Sequence, residues 1–300
     1  MTRGSQIAAV LALCVGCTST VSKNNGGGGQ AGGAGSSGAS GGAGQSGSGG
    51  SGATGGSGAT GGNGGMGGTG AAAGSSGAGG LDGGATCPTL LDPRDDEFCT
   101  TSLDTSKWTV LNPGQVVTSV SGGRLRMEPN TSLWYNGGTG PLIFQTVSGN
   151  FKMTASVQVT GLDGASPPSG NVHWGGLMLR HLANNTAVNT IHVAVGRSNQ
   201  GNLSQEWSST TNSNTQFGNP AWNGEPIELR ICKLGTSISL LTRQGNNSWG
   251  SILVENRVDF PDMVQAGMVA HASAASPDLR ASYDWVRFQP VDNANDCQTD

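Results

Sequence analysis

The sequence predicts an all-β domain over residues 87–300, built as an antiparallel two-sheet jelly-roll sandwich. From Cys87 onward, short runs rich in β-forming residues alternate with segments of Gly, Asn, Pro and Ser. No stretch of ten or more residues in this part combines a 3.6-residue apolar period with capping residues. Ten or more strands without a long helix are typical of two sheets that bury their apolar faces against each other.

The strands are predicted from the alternation of apolar and polar residues, which is the period of a half-buried strand. The pattern is clearest over Phe151–Val159, and it recurs over Ile227–Ile231 and around Leu125 and Met127. Further strands are predicted at 142–147, 172–181, 188–196, 204–210, 236–243, 251–255, 264–272 and 281–289.

Residues 18–86 are predicted to form a disordered Gly/Ser-rich linker. More than half of the 53 glycines fall within this segment, and Asp82 is the single charged residue between Asn24 and Thr86. Such a composition cannot bury enough apolar surface to offset its ordering entropy. About sixty residues of this kind span on average ~40–45 Å as a random coil. With a net charge of −4 and no run of Lys or Arg, the chain lacks the basic footprint of a nucleic-acid-binding protein.

Residues 1–17 have the pattern of a bacterial lipoprotein signal peptide. Arg3 precedes a short apolar stretch, Ile7 to Val15, which is less than half the ~20 residues that span a bilayer. Cys14-Val15-Gly16-Cys17 resembles a lipobox, with Cys17 as the acylated residue. We therefore expect an exported protein, lipid-anchored to the cell envelope at the outer membrane or cell surface, that contacts the membrane only through its anchor. A plain secretory signal is the alternative.

Four cysteines remain after the predicted cleavage site: Cys87, Cys99, Cys232 and Cys297. An even number in an exported protein favours two disulfides, and three pairings are possible. Because the two ends of a β-sandwich commonly meet, Cys87–Cys297 together with Cys99–Cys232 is the preferred pairing.

Several short motifs resemble the concanavalin A-like lectin/glucanase superfamily. They are Asp95-Asp96-Glu97-Phe98, Leu103-Asp104 with Trp108, Gly123–Met127, Gly149-Asn150-Phe151, Gly175–Arg180 and the closing segment Tyr283–Phe288. The resemblance covers about residues 92–288 and implies the same sandwich fold. Related glucanases often hold one structural Ca²⁺, and by this resemblance Glu97, Gly149 and Asp284 are its candidate ligands. No other cofactor is expected.

The resemblance also provides a test for catalysis. Laminarinase-like members carry Glu-x-Asp-x-x-Glu on one concave strand, because retaining hydrolysis needs two carboxyls about 5–5.5 Å apart. No glutamate here has Asp two positions later, and the corresponding strand, Val188–Gly196, contains no carboxylate. His173 and His271 have no Cys, His or Asp partners at metal-binding spacing, so no zinc site is expected. We therefore predict that the chain is not an enzyme.

Aromatic faces and a few polar groups are what sugar-binding sites require, and the chain has seven tryptophans but two tyrosines. Strand alternation places Trp174, Arg180 and His192 on the concave sheet, facing away from the core. The other candidates lie in or beside loops at the rim, although tryptophans there also fill core space: Trp134, Tyr135, Trp207 and Trp222. We expect a non-catalytic carbohydrate-binding module whose partner is a polysaccharide or other glycan. The alternatives are a structural or adhesion lipoprotein with protein partners, and a glycoside hydrolase or polysaccharide lyase.

Overall fold

The computed structural model describes residues 87–135, 137–181 and 188–300. The predicted signal peptide, the lipidated Cys17 and the linker of residues 18–86 lie outside these ranges, so they stay predictions. Within the described ranges, no helix is long and apolar enough to cross a membrane.

The domain consists of two seven-stranded antiparallel sheets, which confirms the predicted all-β sandwich. The first sheet has the spatial order β1 (Thr109–Leu111), β4 (Leu142–Val147), β13 (Val264–Ala272), β6 (His173–His181), β7 (Thr190–Arg197), β8 (Leu203–Thr211) and β9 (Asn214–Gly218). The second has the order β12 (Gly250–Asn256), β11 (Ser237–Arg243), β10 (Ile227–Leu234), β5 (Phe151–Thr160), β14 (Arg280–Pro290), β3 (Leu125–Pro129) and β2 (Val116–Val120). Two short 3-10 helices, Pro113–Gln115 and Ala294–Cys297, complete the described elements. Sequence alternation did not predict β1, β2 or β9.

The main core lies between the two sheets, and strand alternation decides which side chains reach it. In β6, Leu177 and Leu179 face this core, and every second residue of β7, from Ile191 to Val195, does the same. Tyr283 of β14 crosses the core, and its hydroxyl lies 3.0 Å and 2.7 Å from carbonyl oxygens of Gly176 and Val269 in the first sheet. The buried hydroxyl thereby satisfies its need for a partner and ties the two sheets together.

The opposite face of the first sheet is also covered. Residues 133–135 and 137–141 lie over it, and Trp134 packs there in a second apolar cluster with Leu142, Phe144, Met178 and Val269. Gly140 makes this packing possible, because a Cβ at that position would lie 2.4 Å from the Trp134 ring. The outer face of the first sheet is therefore partly covered and holds a small cavity, where an open concave groove was expected.

One disulfide joins Cys232 of β10 to Cys297, so the expected pairing of Cys87 with Cys297 and Cys99 with Cys232 is wrong. After β14 the chain runs back over the outer face of the second sheet, where Cys297 and Val291 pack with Cys232, Leu241 and Trp249. This return places Cys297 above β10 and away from the start of the domain.

Cys87 and Cys99 are free thiols in the structure, but they are neighbours. Burial, together with the hydrogen bond to Cys87, raises the pKa of the Cys99 thiol to about 11. We expect these two cysteines to form a second disulfide in an oxidising compartment. Closing a loop of this length constrains the unfolded chain, so loss of the bond should lower the free energy of unfolding by about 3 kcal/mol. Peptide mapping under non-reducing conditions should recover Cys87 linked to Cys99, and a link from either one to Cys232 or Cys297 would contradict this.

Candidate functional site

A cavity of about 280 Å³ opens on the outer face of the first sheet, beside Tyr135. Strands β6, β8 and β9 form its floor and one wall. Among the described residues it is lined by Tyr135, Val172, Trp174, Asn199, Glu206, Thr215, Phe217 and Asn219. Its walls are aromatic and amide-bearing, and Glu206 is the one ionisable carboxyl in the lining.

Glu206 of β8 lies at the bottom of this cavity and is 1% exposed. Its Oε2 accepts a hydrogen bond from the Tyr135 hydroxyl at 2.7 Å, and its Oε1 lies 2.7 Å from Nε2 of His192. Strand pairing explains the arrangement, because His192 and Glu206 are on adjacent antiparallel strands and Glu206 is opposite Ala194. Hydrogen bonds on both oxygens fix the orientation of the carboxyl group.

His271 of β13 lies under the cavity, next to the rings of Tyr135 and His192. Its ring packs edge-on against Tyr135 and His192, with centroids 5.5 Å and 5.6 Å apart. The side chain is fully buried, and neither ring nitrogen has a hydrogen-bond partner among the described residues. Burial lowers the pKa of His271 well below the usual value, and the neighbouring His192 and His173 lower it further. His271 is therefore a neutral imidazole at physiological pH.

Tyr135 connects the buried carboxyl to the cavity. Burial raises the pKa of Tyr135 far above the usual value of a phenol, and the negative charge of Glu206 adds to the shift. The hydroxyl therefore keeps its proton at neutral pH and donates it in a hydrogen bond to Glu206. Its ring also faces Phe217 across the cavity, at a centroid separation of 5.8 Å.

The predicted sugar-contacting residues separate into two groups. Trp174 and Tyr135 line the cavity, with His192 beneath them, and Arg180 lies on the same face with its guanidinium hydrogen-bonded to Gln265 at 2.7 Å. The positions of Trp174, Arg180 and His192 follow from the alternation of β6 and β7.

Three of the predicted tryptophans do not face the cavity, and that part of the expectation is wrong. Trp207 and Trp222 pack with the core between the sheets, because Trp207 points to the side of β8 opposite Glu206. Trp134 is 1% exposed and fills the apolar cluster beneath its own loop. These tryptophans bury their large apolar side chains. The polar residues around them in the sequence had suggested exposed positions.

Each of the three candidate calcium ligands contacts a cationic side chain. Glu97 pairs with Arg287 at 2.9 Å, Asp284 pairs with Arg124 at 2.6 Å, and the Gly149 carbonyl accepts a hydrogen bond from the Lys233 ammonium group at 3.3 Å. Calcium binding at these residues stays a prediction, although the nearby cations do not favour it.

The side chains that come together in a metal-ligating arrangement are instead His192, Glu206 and His271, whose ligand atoms all lie within 4.8 Å of one another. Sequence reasoning missed Glu206 and His271 because it tested the glutamates for one motif along a single strand and the histidines for metal-binding spacing along the chain. The available signal was the alternation in β8, where Ser204, Glu206 and Ser208 share a face.

No family model and no curated protein matches the chain. The fold, however, is shared with solved structures. A xylan β-1,4-xylosidase from Bacillus halodurans C-125 is 15% identical, with a TM-score of 0.53 over 68% of this chain and 40% of the xylosidase. A Bacteroides ovatus protein named xyloglucan PUL GH43B is 18% identical, with a TM-score of 0.51 over 69% of this chain and 41% of that protein. A Saccharomyces cerevisiae protein of unknown function is 15% identical, with a TM-score of 0.51 over 63% of this chain and 98% of its own length.

These likenesses show that the β-sandwich fold is shared. They contradict the expectation of a non-catalytic carbohydrate-binding module, and the expectation that the chain is no enzyme, since the matching chains include glycoside hydrolases. The structure brings one carboxylate to the cavity, that of Glu206 on β8, the neighbour of β7 in the sheet. A second carboxyl of the kind sought in the sequence is not among the described lining residues.

Proposed function

We propose that the domain is a glycoside-hydrolase-like enzyme that cleaves a neutral glycan bound in the cavity above Glu206. The observation that carries this proposal is a carboxyl group held by two hydrogen bonds at the bottom of an aromatic-walled cavity. A buried, oriented carboxyl group is the usual proton-exchanging group of glycosidic bond cleavage. The similar solved structures include a xylosidase and a protein named for xyloglucan, which fits a carbohydrate substrate.

The charge of the cavity favours neutral sugars over uronic acids. Glu206 contributes a negative charge, and none of the described lining residues is Lys or Arg. An acidic sugar would therefore be repelled without a compensating cation. This is also the reason to prefer hydrolysis over the elimination reaction of polysaccharide lyases, which act on uronates.

The roles of the side chains follow from their positions. Trp174 and Phe217 provide apolar surfaces for a sugar ring, and Asn199 and Asn219 provide amide groups for its hydroxyls. Tyr135 stands between the Glu206 carboxylate and the cavity, so it can relay a proton from the attacking water to Glu206, which then returns it to the departing sugar oxygen. Hydrolysis adds the hydroxyl of water to the anomeric carbon and a proton to the departing sugar oxygen.

The location of the enzyme is also a proposal. We infer that it is exported and held at the envelope by an acylated Cys17 and the Gly/Ser-rich segment. The lipobox-like Cys14–Cys17 supports this, and so does the Cys232–Cys297 disulfide, because such bonds persist in oxidising compartments.

The proposal is tested by measuring new reducing ends after incubation with xylan, xyloglucan, laminarin and a polyuronate. We expect release from at least one neutral polysaccharide and none from the polyuronate. The activity must disappear in the Glu206→Gln variant, which separates it from that of a contaminating enzyme. Failure to cleave any neutral glycan, or equal cleavage by the variant, would refute the proposal.

The Phe217→Ala substitution tests the position of the sugar. Phe217 is 49% exposed at the cavity, so its removal should leave the fold intact and weaken binding of ground state and transition state alike. We expect KM to rise about tenfold with little change in kcat. Val254→Ala is the matched control, because Val254 is 64% exposed on β12 of the other sheet. A change in KM of the same size in the control would contradict the assigned position.

A further inference from the structure

Glu206 is a buried acid without a permanent cation. It is 1% exposed, and among the ion pairs of the described residues its one basic partner is His192. Taking a carboxylate out of water is unfavourable unless a positive charge compensates it. Its surroundings are otherwise the Tyr135 hydroxyl and the buried ring of His271.

The two imidazoles next to Glu206 have nitrogen atoms without partners. Both ring nitrogens of His271 and Nδ1 of His192 make no hydrogen bond to any described residue. Buried polar atoms are nearly always satisfied, so a group of orphaned nitrogens around one carboxylate calls for an explanation. Water could satisfy one or two of these atoms, but it would not balance the charge of Glu206.

A single bound cation would compensate the charge of Glu206 and give the unpartnered imidazole nitrogens a ligand bond. We propose that His192, Glu206 and His271 bind a divalent transition-metal ion, with Zn²⁺ the best-matched example. Ligand atoms of a tetrahedral zinc site lie about 3.3 Å apart when the bonds are 2.0–2.1 Å long. The three ligand atoms lie within 4.8 Å of one another, so rotations of the His271 and Glu206 side chains would complete the site.

The donor set determines which ions fit. Two imidazoles and one carboxylate suit zinc, copper, nickel or iron, and a His₂Glu set is a known ligand combination of catalytic zinc. Calcium and magnesium prefer oxygen ligands and are disfavoured here. His271, neutral because it is buried, is in the form that ligates a metal.

The ion and the proposed proton exchange share Glu206 but need different oxygens. Oε1 lies 2.7 Å from Nε2 of His192, and the Tyr135 hydroxyl donates to both oxygens, at 2.7 Å to Oε2 and 2.9 Å to Oε1. A metal bound through Oε1 would replace the longer of these two contacts and leave the shorter Oε2–Tyr135 hydrogen bond in place. The metal site goes beyond the proposed function, and its existence does not depend on glycan cleavage.

The test is a titration of EDTA-treated, dialysed protein with Zn²⁺ in a calorimeter, without any glycan. We expect one ion per chain, and a loss of affinity of about 100-fold or more in His271→Gln, since losing even an outer-shell partner of a ligand typically costs about 10–100-fold. His173→Gln is the matched control, because His173 is also 0% exposed with both ring nitrogens unpartnered but lies outside the cluster. Circular dichroism establishes that each variant is folded.

X-ray absorption at the zinc edge of the wild-type complex gives a readout that needs no variant. We expect nitrogen and oxygen ligands with the multiple scattering of two imidazoles. Absence of stoichiometric binding, equal affinity in His271→Gln, or sulfur ligation from the thiols of Cys87 and Cys99 would each overturn the proposal. Because no sugar is present, these results are independent of whether glycan cleavage is found.

Discussion

Glu206→Gln is expected to lower kcat on the cleaved glycan by about 10³-fold, within the range that positioned proton exchange contributes. Glutamine has the shape of glutamate and can still accept a hydrogen bond from Tyr135 through its amide oxygen. It cannot take up or deliver a proton. Because a buried charge is removed together with the proton-exchanging group, the fold should be retained and the melting temperature should change little.

The measurement is steady-state kinetics with a thermal melt of each variant. Glu225→Gln is the matched control, since Glu225 is an exposed residue of the loop before β10. Tyr135→Phe should give an intermediate loss of about 10–100-fold, because Glu206 keeps its position but loses its connection to the cavity. Full activity in Glu206→Gln would rule out the assigned role, and a loss of equal size in Glu225→Gln would show a nonspecific effect.

The sequence predicted the fold well because strand alternation is a local property. Eleven strands were predicted without knowledge of the partner strand, and the faces of β6 and β7 followed directly from residues such as Leu177 and Ile191. Short edge elements gave weaker signals. In β9, the exposed and intermediate residues of Asn214–Gly218 do not alternate, since little of this strand is buried.

The site was harder to predict because it is assembled across strands. Glu206 and His271 are 65 residues apart in the chain, and they meet because β8 and β13 lie in one sheet, with β7 and β6 between them. The spacing of Glu206 and His271 along the chain does not indicate that their side chains lie close together. The prediction for Trp207 was wrong because of local strand geometry. Trp207 directly follows Glu206, so it must face the core when Glu206 faces the cavity.

The disulfide has a similar explanation. The sandwich does bring parts of the chain together, but the segment after β14 lies against β10 instead of the start of the domain. A buried cluster with Trp249 and Leu241 on the outer face of the second sheet determines this course. Residues 291–300 show no apolar alternation from which this course of the chain could have been predicted.

Arg257 is expected to be the most sensitive position for stability outside the main core. It follows β12 in the chain, is 2% exposed and reaches across to the first sheet. Its guanidinium donates to the carbonyls of Thr190 and Thr210 at 3.1 Å and 2.9 Å, and to the Ser209 hydroxyl at 2.9 Å. It also forms a two-pronged pair with Asp259, at 2.8 Å and 2.7 Å.

These bonds hold the ends of β7 and β8, the two strands that carry His192 and Glu206. Arg257→Met fills a similar volume but leaves two strand-end carbonyls and the Asp259 carboxylate without their partner. Removing one member of such a buried charged network costs about 3–5 kcal/mol of unfolding free energy. Arg257→Lys should lose less, because the charge remains, but a single ammonium group cannot replace the planar fork.

The measurement is urea denaturation of both variants, with Arg287→Met as the matched control. Arg287 also pairs with a carboxylate, that of Glu97 at 2.9 Å, but its side chain is 48% exposed. An exposed pair contributes at most about 1 kcal/mol, so the control should unfold close to the wild type. If Arg257→Met were no less stable than Arg287→Met, the contacts of Arg257 would not hold β7 and β8 together. Because the same strand ends support the cavity floor, Arg257→Met should also lower glycan cleavage at temperatures where most of the protein is still folded.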